Sequence, residues 1–309
     1  MAKIAVWWRA LRPFSFPASV VPALLGLALA WMEGMKIRID LAILTVIGAV
    51  AAHSGANLIN DYIDFRRGID RPGTKGGSGA LIEQSLSPKA VLMGSIVTCA
   101  VAFACALPLC LHVGPKFIWL IAAGFVAGAG YVLPPFGFKY RALGDIVVFA
   151  AFGLGITLGS YVAQSQVFLW APLLYAIPVG MLVSAILHVN NIRDLDDDRS
   201  VNAKTLAGMV GVRAAKGIYA ALVLGAYALV TILVLCRAIV PTAVLVLITF
   251  PIGWKLVKKI RKATPPFNRS LDMADAATAQ LNIFFGLMLI AGAIAWRIIG
   301  VNPVSSFCI

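Results

Sequence analysis

NLINDYIDFRRGID, residues 57–70, gathers three aspartates, two asparagines and two arginines at the end of a long apolar run. The run itself, residues 40–60, has about the 20 residues that a helix needs to cross a bilayer. Charged side chains are costly at membrane depth, and those that occur there usually have a functional role. The stretch therefore predicts a membrane helix that ends in a functional site.

The composition of the whole chain is typical of a protein that crosses the bilayer many times. Of its 309 residues, 61% are hydrophobic and 13% are charged, whereas soluble domains have about 25% charged residues. Apolar runs of membrane-spanning length predict an all-α protein with nine transmembrane helices. These runs lie near 15–33, 40–60, 88–111, 116–134, 142–163, 168–188, 215–236, 238–256 and 280–299.

The positive charge of the chain predicts its orientation. The sequence has 26 basic and 13 acidic residues, a net charge of +13. In a soluble protein this excess would indicate a nucleic-acid partner, but in a membrane protein Lys and Arg collect in cytoplasmic loops. With the N-terminus inside, most of the basic residues fall in inner segments. We therefore expect no nucleic-acid partner, and we expect the N-terminus and the polar site on the cytoplasmic side of an inner, or plasma, membrane.

The polar residues of the opening stretch have helical spacing. Asn57, Asn60, Asp61 and Asp64 are spaced i, i+3, i+4 and i+7. If the helix continues through them, all four side chains lie on one face. The apolar helix would then end in a strip of carboxylates and amides.

A second stretch, HVNNIRDLDDDRSVNAKTLAG at 188–208, follows another apolar run and repeats the pattern. Asn191, Asp194 and Asp198 are spaced i, i+3 and i+7, and one further asparagine precedes Asp194 by four positions. Asp196 and Asp197 point off this face, and we expect them to be solvated. Two stretches with the same spacing are difficult to explain as ordinary polar loops.

The two acidic clusters predict a metal–diphosphate site. Facing clusters of like charge repel each other unless a cation lies between them. The available ligands are carboxylate and amide oxygens, which favour a hard ion such as Mg²⁺ or Ca²⁺ over zinc. Mg²⁺ in proteins usually completes its shell with water and substrate phosphates. Nearby Lys and Arg side chains would bind the remaining phosphate oxygens.

At these residues the sequence resembles the UbiA superfamily of membrane prenyltransferases. The NxxNDxxD-type motif of that superfamily is matched at 57–64, and its DxxxD-type motif at 194–198. Within the superfamily the sequence is most similar to the MenA branch, the 1,4-dihydroxy-2-naphthoate polyprenyltransferases of menaquinone synthesis. The stretches that carry this similarity are WWRALRPFSFPASVVPALLG, DYIDFRRGID, PPFGFKYRALGDIVVFAAFGLGITLGSYVAQ and NNIRDLDDDRSVNAKTLAGMVG.

The resemblance implies a fold and a reaction. The fold would be one domain over residues 1–309, with nine membrane helices around a central cavity that opens to the cytoplasm and to lipid. Two Mg²⁺ ions would link the acidic motifs to an isoprenyl diphosphate, whose allylic carbon–oxygen bond would ionise. A small aromatic acceptor would then attack the allylic cation. Such a cation needs a dry, apolar pocket, which the helices would supply.

Roles for individual residues follow from this mechanism. The expected catalytic carboxylates and metal ligands are Asp61, Asp64, Asp194 and Asp198. The residues expected to orient them or to bind the diphosphate are Asn57, Asn60, Arg66, Asp70, Lys75, Arg141, Asn190, Asn191 and Lys204. Tyr140 either faces the cavity and stabilises the cation through its ring or lies at the membrane interface. His188 is expected to be packed and hydrogen-bonded, and His53 and His112 to be structural.

Two alternatives remain open at this point. Within the superfamily, the acceptor could instead be 4-hydroxybenzoate, homogentisate or a lipid alcohol. A cation-coupled transporter with paired acidic gates is a different class of protein, and it would place polar residues along a path through the membrane. Both acidic clusters of this sequence lie at one membrane face, which favours the enzyme.

Overall fold

A computed structural model describes residues 2–72, 77–200 and 204–300 of the chain, and within these ranges every regular element is helical. The all-α prediction is therefore confirmed. The α-helices are α1 (Ala2–Leu11), α2 (Pro17–Met32), α3 (Ile39–Arg66), α4 (Pro88–Val113), α5 (Pro115–Gly130), α6 (Gly144–Val148), α7 (Ile156–Ser165), α8 (Ala171–Arg193), α9 (Leu195–Ser200), α10 (Leu206–Val210), α11 (Val212–Leu235), α12 (Phe250–Lys262), α13 (Phe267–Ser270) and α14 (Ala274–Ile298). A π-helical segment (Phe149–Gly155) joins α6 to α7, and 3₁₀ segments occur at Pro13–Ser15, Phe138–Arg141 and Pro241–Thr249.

Six helices in the described ranges are long and apolar enough to cross a membrane. They are α3, α4, the continuous unit Gly144–Ser165, α8, α11 and α14. The pair formed by α1 and α2, bent by 56° at the break, makes a seventh if it is counted as one span. All nine predicted runs coincide with helical segments, but the described residues do not form nine full-length membrane helices.

Besides α2, which has 16 residues and counts as a span only together with α1, two of the nine runs form shorter or interrupted helices. α5 has only 16 residues. The run at 238–256 begins as the 3₁₀ segment at Pro241 and becomes α-helical only at Phe250, with Pro251 in the first turn. Proline lacks an N–H donor and is favoured in the first turn of a helix. The two prolines therefore divide this run, although its hydrophobicity is continuous.

α8 lies at the centre of the bundle. Of its most apolar window, 72% is buried, and the helix packs against α2, α11, α14 and the π-helical segment. At the last of these contacts the two backbones touch, because a Cβ built on Gly153 would lie 2.3 Å from the Cα of Gly180. This close packing positions the C-terminal half of α8, which leads into the second acidic stretch.

A cavity of about 1300 Å³ lies between α3, α4, α5, the π-helical segment and α8. Its wall is mainly apolar and includes Leu109, Phe117, Ile121 and Phe152. Its polar end is formed by the last turns of α3 and by the end of α8. The expected central cavity is thus present, and the fold brings two acidic stretches that are far apart in the sequence to the same end of it.

Candidate active site

The first acidic stretch occupies the last turns of α3, which continues to Arg66. Its polar residues share one helix face, as the spacing predicts, and Asn57, Asn60 and Asp64 line the cavity. Asp61 lies beside them and faces the junction of α1 and α2. Asp61 is 4% exposed and Asp64 is 1% exposed, so each buried carboxylate needs a charged or hydrogen-bonding partner.

Asp61 is held by two groups outside α3. Arg12, between α1 and α2, forms an ion pair with one carboxylate oxygen of Asp61. The other oxygen accepts a hydrogen bond from the backbone N–H of Ser78 at 3.0 Å. Ser78 follows the glycine-rich part of the segment after α3. The backbone at Ser78 therefore lies against the acidic face of the helix.

Asp64 is held by the 3₁₀ segment before α6. Lys139 forms an ion pair with Asp64 and donates a hydrogen bond to the side-chain oxygen of Asn60 at 3.0 Å. The Tyr140 hydroxyl donates to Asp64 at 2.7 Å. The guanidinium of Arg67 lies 4.1 Å from the centre of the Tyr140 ring, and Tyr140 is not among the residues that line the cavity. Tyr140 thus contacts the carboxylate through its hydroxyl, while Arg67 covers its ring.

The second acidic stretch lies where α8 ends and α9 begins. The Asp194 carboxylate accepts two hydrogen bonds from Arg193, at 2.7 and 2.9 Å. Arg193 also pairs with Asp275 of α14 at 2.6 Å. These contacts join the end of α8 to α14. The predicted residues that line the cavity here are Asn190, Asn191, Asp194 and Asp198.

The prediction that Asp196 and Asp197 are both solvated is correct for one of them. Asp196 is exposed, as predicted. Asp197 is partly buried and lines the cavity, so the expectation that it is solvated is wrong. α8 ends at Arg193 and a new helix starts at Leu195, which changes the helical register that the spacing assumes.

A buried pair supports the second stretch from inside the bundle. His188 is fully buried, with Nδ1 at 2.9 Å from Asp145 Oδ2 and Nε2 at 2.9 Å from the carbonyl oxygen of Ala215. The other carboxylate oxygen of Asp145 accepts from the Asn191 amide at 3.5 Å. The prediction of a packed, hydrogen-bonded His188 is confirmed. The contacts connect α6, α8 and α11 to the polar end of the cavity.

Burial and mutual repulsion affect two carboxyls at this end. Burial raises the pKa of Asp198 to about 7, against the opposing charge of Lys139. The carboxylates of Asp194 and Asp64 contribute to that increase. Burial also raises the pKa of Asp70, another cavity-lining residue, to about 6, with the Asp64 carboxylate as the next cause. Because Asp64 acts on groups of both stretches, the two stretches form one electrostatic site.

Three predicted diphosphate-binding residues do not line the cavity. Arg66, Arg141 and Lys204 are exposed. Arg66 follows Asp64 by two positions, and two residues turn a helix by about 200°, so its side chain points away from the acidic face. Lys75, the fourth predicted basic residue, lies outside the described residues.

Helical spacing does not reveal the basic partners that the structure places in the site. Arg12 and Lys139 come from loops, and only the fold brings them to α3. Their sequence positions predict an orientation in the membrane but no contact with a carboxylate. Arg193 is different, because it directly precedes Asp194. Its position next to Asp194 could therefore have indicated their ion pair, which helical spacing does not.

The donor chemistry of this polar end fits Mg²⁺. The candidate ligands are carboxylate and amide oxygens, which hard divalent cations prefer. A cationic nitrogen already lies on each of three candidate carboxylates: Arg12 on Asp61, Lys139 on Asp64 and Arg193 on Asp194. Within the described part of the chain, no three His, Cys, Asp or Glu side chains are gathered as a ready ligand set. The carboxylates would therefore have to rearrange, and exchange their basic partners, to hold an ion.

Comparison with known families identifies the class of protein that this fold and site define. Residues 19–271 match the model of the UbiA prenyltransferase family, which is well over half of the chain. The chain belongs to the UbiA prenyltransferase family. It is thus a multi-pass membrane protein and a prenyltransferase, and the transporter alternative is set aside.

The chain is similar over most of its length to animal members of the family. UbiA prenyltransferase domain-containing protein 1 of Xenopus tropicalis is 32% identical over 296 residues, covering 94% of this chain and 82% of that protein. The protein of the same name from Ailuropoda melanoleuca is 33% identical over 298 residues, covering 94% and 84%. The homolog from Drosophila melanogaster is 33% identical over 292 residues, covering 93% and 79%.

Solved structures share the fold at low sequence identity. A UbiA homolog from Aeropyrum pernix K1 has a TM-score of 0.68 and 18% identity, covering 90% of this chain and 96% of that one. A UbiA homolog from Archaeoglobus fulgidus bound to GPP and Mg²⁺ has a TM-score of 0.63 and 15% identity, covering 94% and 99%. A digeranylgeranylglyceryl phosphate synthase has a TM-score of 0.61 and 14% identity, covering 96% and 100%. These similarities establish the polytopic helical fold.

Proposed function

We propose that the protein transfers a polyprenyl group from an isoprenyl diphosphate to an aromatic acceptor, with Mg²⁺ as its cofactor. The observation that carries this proposal is the meeting of two acidic stretches at one end of a large cavity with a mainly apolar wall. A metal-bound diphosphate requires the polar end, and a polyprenyl chain requires the apolar space. The complex of the Archaeoglobus fulgidus homolog with GPP and Mg²⁺ supports both ligands.

The proposed roles follow the positions of the side chains. The residues that would hold two Mg²⁺ ions, directly or through water, are Asp61, Asp64, Asp194 and Asp198. Bound Mg²⁺ would neutralise the charge that develops on the diphosphate leaving group. The residues that would orient these carboxylates or contact the diphosphate are Asn57, Asn60, Asp70, Asn190 and Asn191. The Tyr140 hydroxyl would keep Asp64 in position through their hydrogen bond.

Arg12 and Lys139 are placed to exchange partners. Each now neutralises a buried carboxylate of α3. If Mg²⁺ were held by these carboxylates, the guanidinium of Arg12 and the ammonium of Lys139 would be free to bind phosphate oxygens. Both residues line the cavity. They are therefore better candidates for diphosphate binding than Arg66, Arg141 and Lys204, the exposed basic residues expected from the family mechanism.

The apolar wall would protect the reactive intermediate. Ionisation breaks the allylic carbon–oxygen bond of the donor, and the diphosphate leaves with the electron pair. A ring carbon of the acceptor then forms the new carbon–carbon bond, and the ring loses a proton. Water would capture the allylic cation if it reached it. Phe103, Phe117, Phe125 and Phe152 line the cavity and help to exclude water.

For the acceptor we propose 1,4-dihydroxy-2-naphthoate, as in menaquinone biosynthesis. This choice depends on the resemblance to the MenA branch, because the names of the animal relatives specify no acceptor. Other rings, such as 4-hydroxybenzoate or homogentisate, remain in the same reaction class. A lipid alcohol also has to be tested, since the fold is shared with a digeranylgeranylglyceryl phosphate synthase.

We also propose a single domain over residues 1–309 in an inner, or plasma, membrane, with the polar end of the cavity on the cytoplasmic side. Three basic residues, Arg12, Lys139 and Arg193, lie at that end. The last turn of α12 adds Lys259, Arg261 and Lys262. Such an excess of Lys and Arg is characteristic of the cytoplasmic side of a membrane protein.

The test is prenyl transfer by the purified protein in detergent or in membranes. Labelled farnesyl or geranylgeranyl diphosphate is supplied with Mg²⁺ and, in separate reactions, with each candidate acceptor. We expect a Mg²⁺-dependent prenylated naphthalene. The product should be lost in Asp61→Ala and Asp194→Ala and retained in the matched control Asp196→Ala, whose side chain is exposed.

The pattern of products separates the parts of the proposal. A prenylated product with another acceptor alone would keep the reaction and replace the naphthalene. Transfer that is insensitive to a chelator would overturn the role of Mg²⁺. If folded protein neither binds nor consumes any isoprenyl diphosphate, the proposed function is wrong.

A further inference from the structure

His53 is a polar group on the cavity wall that the proposed reaction does not yet use. It lies in α3, four positions before Asn57, and its ring lines the cavity with only 7% of the residue exposed. Ionisable residues inside membrane helices that face a cavity are usually functional. The sequence suggested a structural role for His53, but its position in the cavity calls for a second explanation.

The hydrogen bonds of His53 define which ring nitrogen carries the proton. Nδ1 lies 2.7 Å from the Ser19 hydroxyl, and Nε2 lies 3.3 Å from the Ser15 hydroxyl. The Ser15 hydroxyl donates its own proton to the carbonyl oxygen of Arg12 at 2.8 Å. Its oxygen must therefore accept from His53, which places the ring proton on Nε2 and leaves Nδ1 to accept from Ser19.

The Nε2–H group is on the cavity side of the ring. Ser15, its partner, lines the cavity, whereas Ser19 does not. The contact of 3.3 Å is longer than the usual N–H···O distance of about 2.9–3.0 Å. An oxygen atom of a bound molecule could compete for this donor at small cost, because Ser15 also receives a hydrogen bond from the Asn57 amide at 3.3 Å.

Three other hydroxyl groups on the cavity wall are already bonded to helix carbonyls. Thr45 donates to Leu41, Ser95 donates to Gly55 and Ser160 donates to Ala23. Those donors are used within the protein fold and are not directed at a ligand. The Nε2–H of His53 differs from them, because its partner is a side-chain oxygen that has a second donor.

The position of His53 along α3 separates it from the diphosphate. It precedes Asn57 by four residues and Asp61 by eight, which correspond to about 6 Å and 12 Å along the helix axis. A diphosphate held at the acidic end would leave the region beside His53 to the organic parts of the substrates. The ring of Phe152 meets that of His53 edge-to-face at 4.7 Å, so this part of the wall suits a flat ring.

We propose that His53 binds the acceptor, with its Nε2–H donating a hydrogen bond to an oxygen substituent on the acceptor ring. The inference rests on the proposed function and deepens it, because it locates the acceptor beside Phe152 and one helical turn from Asn57. It also restricts the acceptor to rings that carry a hydroxyl, phenolate or carbonyl oxygen. The bound oxygen would replace Ser15 as the partner of His53, and Asn57 would keep Ser15 satisfied.

The test compares three variants in the full-length protein. His53→Leu removes the donor, and His53→Gln keeps an N–H group near the position of Nε2. His112→Leu is the matched control, since it removes a histidine at the far end of α4. We expect the KM for the acceptor to rise about tenfold in His53→Leu, with the KM for the prenyl diphosphate unchanged. His53→Gln should restore most of the acceptor affinity.

A purely structural histidine would give a different result. His53→Leu would then lower the melting temperature without a selective change in acceptor KM, or would raise both KM values equally, and either result overturns the proposal. If the wild-type protein prenylates no aromatic acceptor, the proposed function fails separately. Binding of 1-naphthol to wild-type and His53→Leu protein then decides the inference, because equal or absent binding contradicts it.

Discussion

The two acidic stretches have the same spacing, but their charges are neutralised in different ways. In the first, Asp64 pairs with Lys139, which belongs to a loop far away in the sequence. In the second, Asp194 pairs with Arg193, the residue directly before it, and Arg193 is shared with Asp275 of α14. The partner of the second stretch therefore belongs to the same helix, whereas the partner of the first comes from a separate 3₁₀ segment.

This difference predicts separate roles for the two acidic stretches. In the second stretch, Arg193 lies beside Asp194 in the chain and also pairs with Asp275, so we expect these residues to move less than the first stretch when a ligand binds. In the first stretch, a bound metal ion would replace Arg12 and Lys139 as the partner of the carboxylates. The two basic side chains would then bind phosphate oxygens. We expect the second stretch to act as the anchor and the first as the part that changes partners.

The largest expected effect on activity follows from removing a carboxylate from either stretch. Asp64→Asn and Asp194→Asn keep the shape of the side chain and remove its charge, and each should lower kcat by about 1000-fold. The double variant should be little worse than either single variant, because groups that act as a unit are not additive. Prenyl-transfer rates at saturating Mg²⁺ measure both effects. Additive losses would mean that the two stretches do not share one site.

Removal of Arg193, the partner of Asp194, should mainly lower the stability of the protein. Arg193→Met leaves the buried carboxylates of Asp194 and Asp275 without this cation, at a cost of about 3 kcal/mol in the free energy of unfolding. Thermal unfolding in detergent, compared with Arg199→Met as an exposed control, measures the loss. A stable Arg193→Met protein with weak donor binding would instead assign Arg193 to the diphosphate.

Removal of Lys139, the partner of Asp64, should mainly weaken ligand binding. Lys139→Met should weaken binding of the isoprenyl diphosphate by about 30-fold, because a buried charge pair and a phosphate contact are lost together. It also leaves Asp64 without its ion-pair partner. Mg²⁺ alone should therefore raise the melting temperature of Lys139→Met more than that of the wild type. An equal shift in both proteins would contradict the exchange of partners.

A smaller effect is expected at Tyr140, which supports the first stretch. Tyr140→Phe removes one hydrogen bond to Asp64 and should lower kcat/KM for the donor about fivefold. The ring under Arg67 is kept, so the stacking contact is unchanged. A loss as large as that of Asp64→Asn would show that the hydroxyl takes part in the chemistry directly.

The smallest effects are expected at the exposed basic residues. Arg66→Ala, Arg141→Ala and Lys204→Ala should each change the KM for the donor by no more than about twofold, as surface substitutions usually do. Steady-state kinetics with Lys139→Met as the positive control checks this expectation. A tenfold increase at any of the three positions would indicate that its loop closes over the diphosphate.

Periodicity made the helices and the acidic face of α3 predictable. Asn57, Asn60, Asp61 and Asp64 repeat with the helical period, and α3 continues through all of them. The same reasoning fails for Asp197, because α8 ends at Arg193 and a new helix starts at Leu195. Residue spacing alone does not predict this break. A local pattern therefore predicts a face only as far as its helix is continuous.

Contacts between remote loops were not predictable in the same way. The sequence contains 26 basic residues, and their positions relative to the acidic face depend on tertiary structure. Arg12 and Lys139 reach α3, whereas Arg66, which is much closer to Asp64 in sequence, points outward. His53 was similarly hidden, because its role depends on which wall it faces and not on its neighbours in the chain.

The backbone contact between Gly153 and Gly180 has a consequence for how this protein can change. A methyl group on Gly153 would lie 2.3 Å from the Cα of Gly180 and would force the π-helical segment away from α8, whereas one on Gly180 would lie 3.1 Å from the Phe149 ring and 3.2 Å from the Cα of Gly153. Substitution of Gly153 would therefore open the contact between the two segments. A second substitution at the partner position would then meet a gap that already exists, so the two costs would not add. The two glycines are thus energetically coupled, and replacing both should cost less than the sum of the two single replacements.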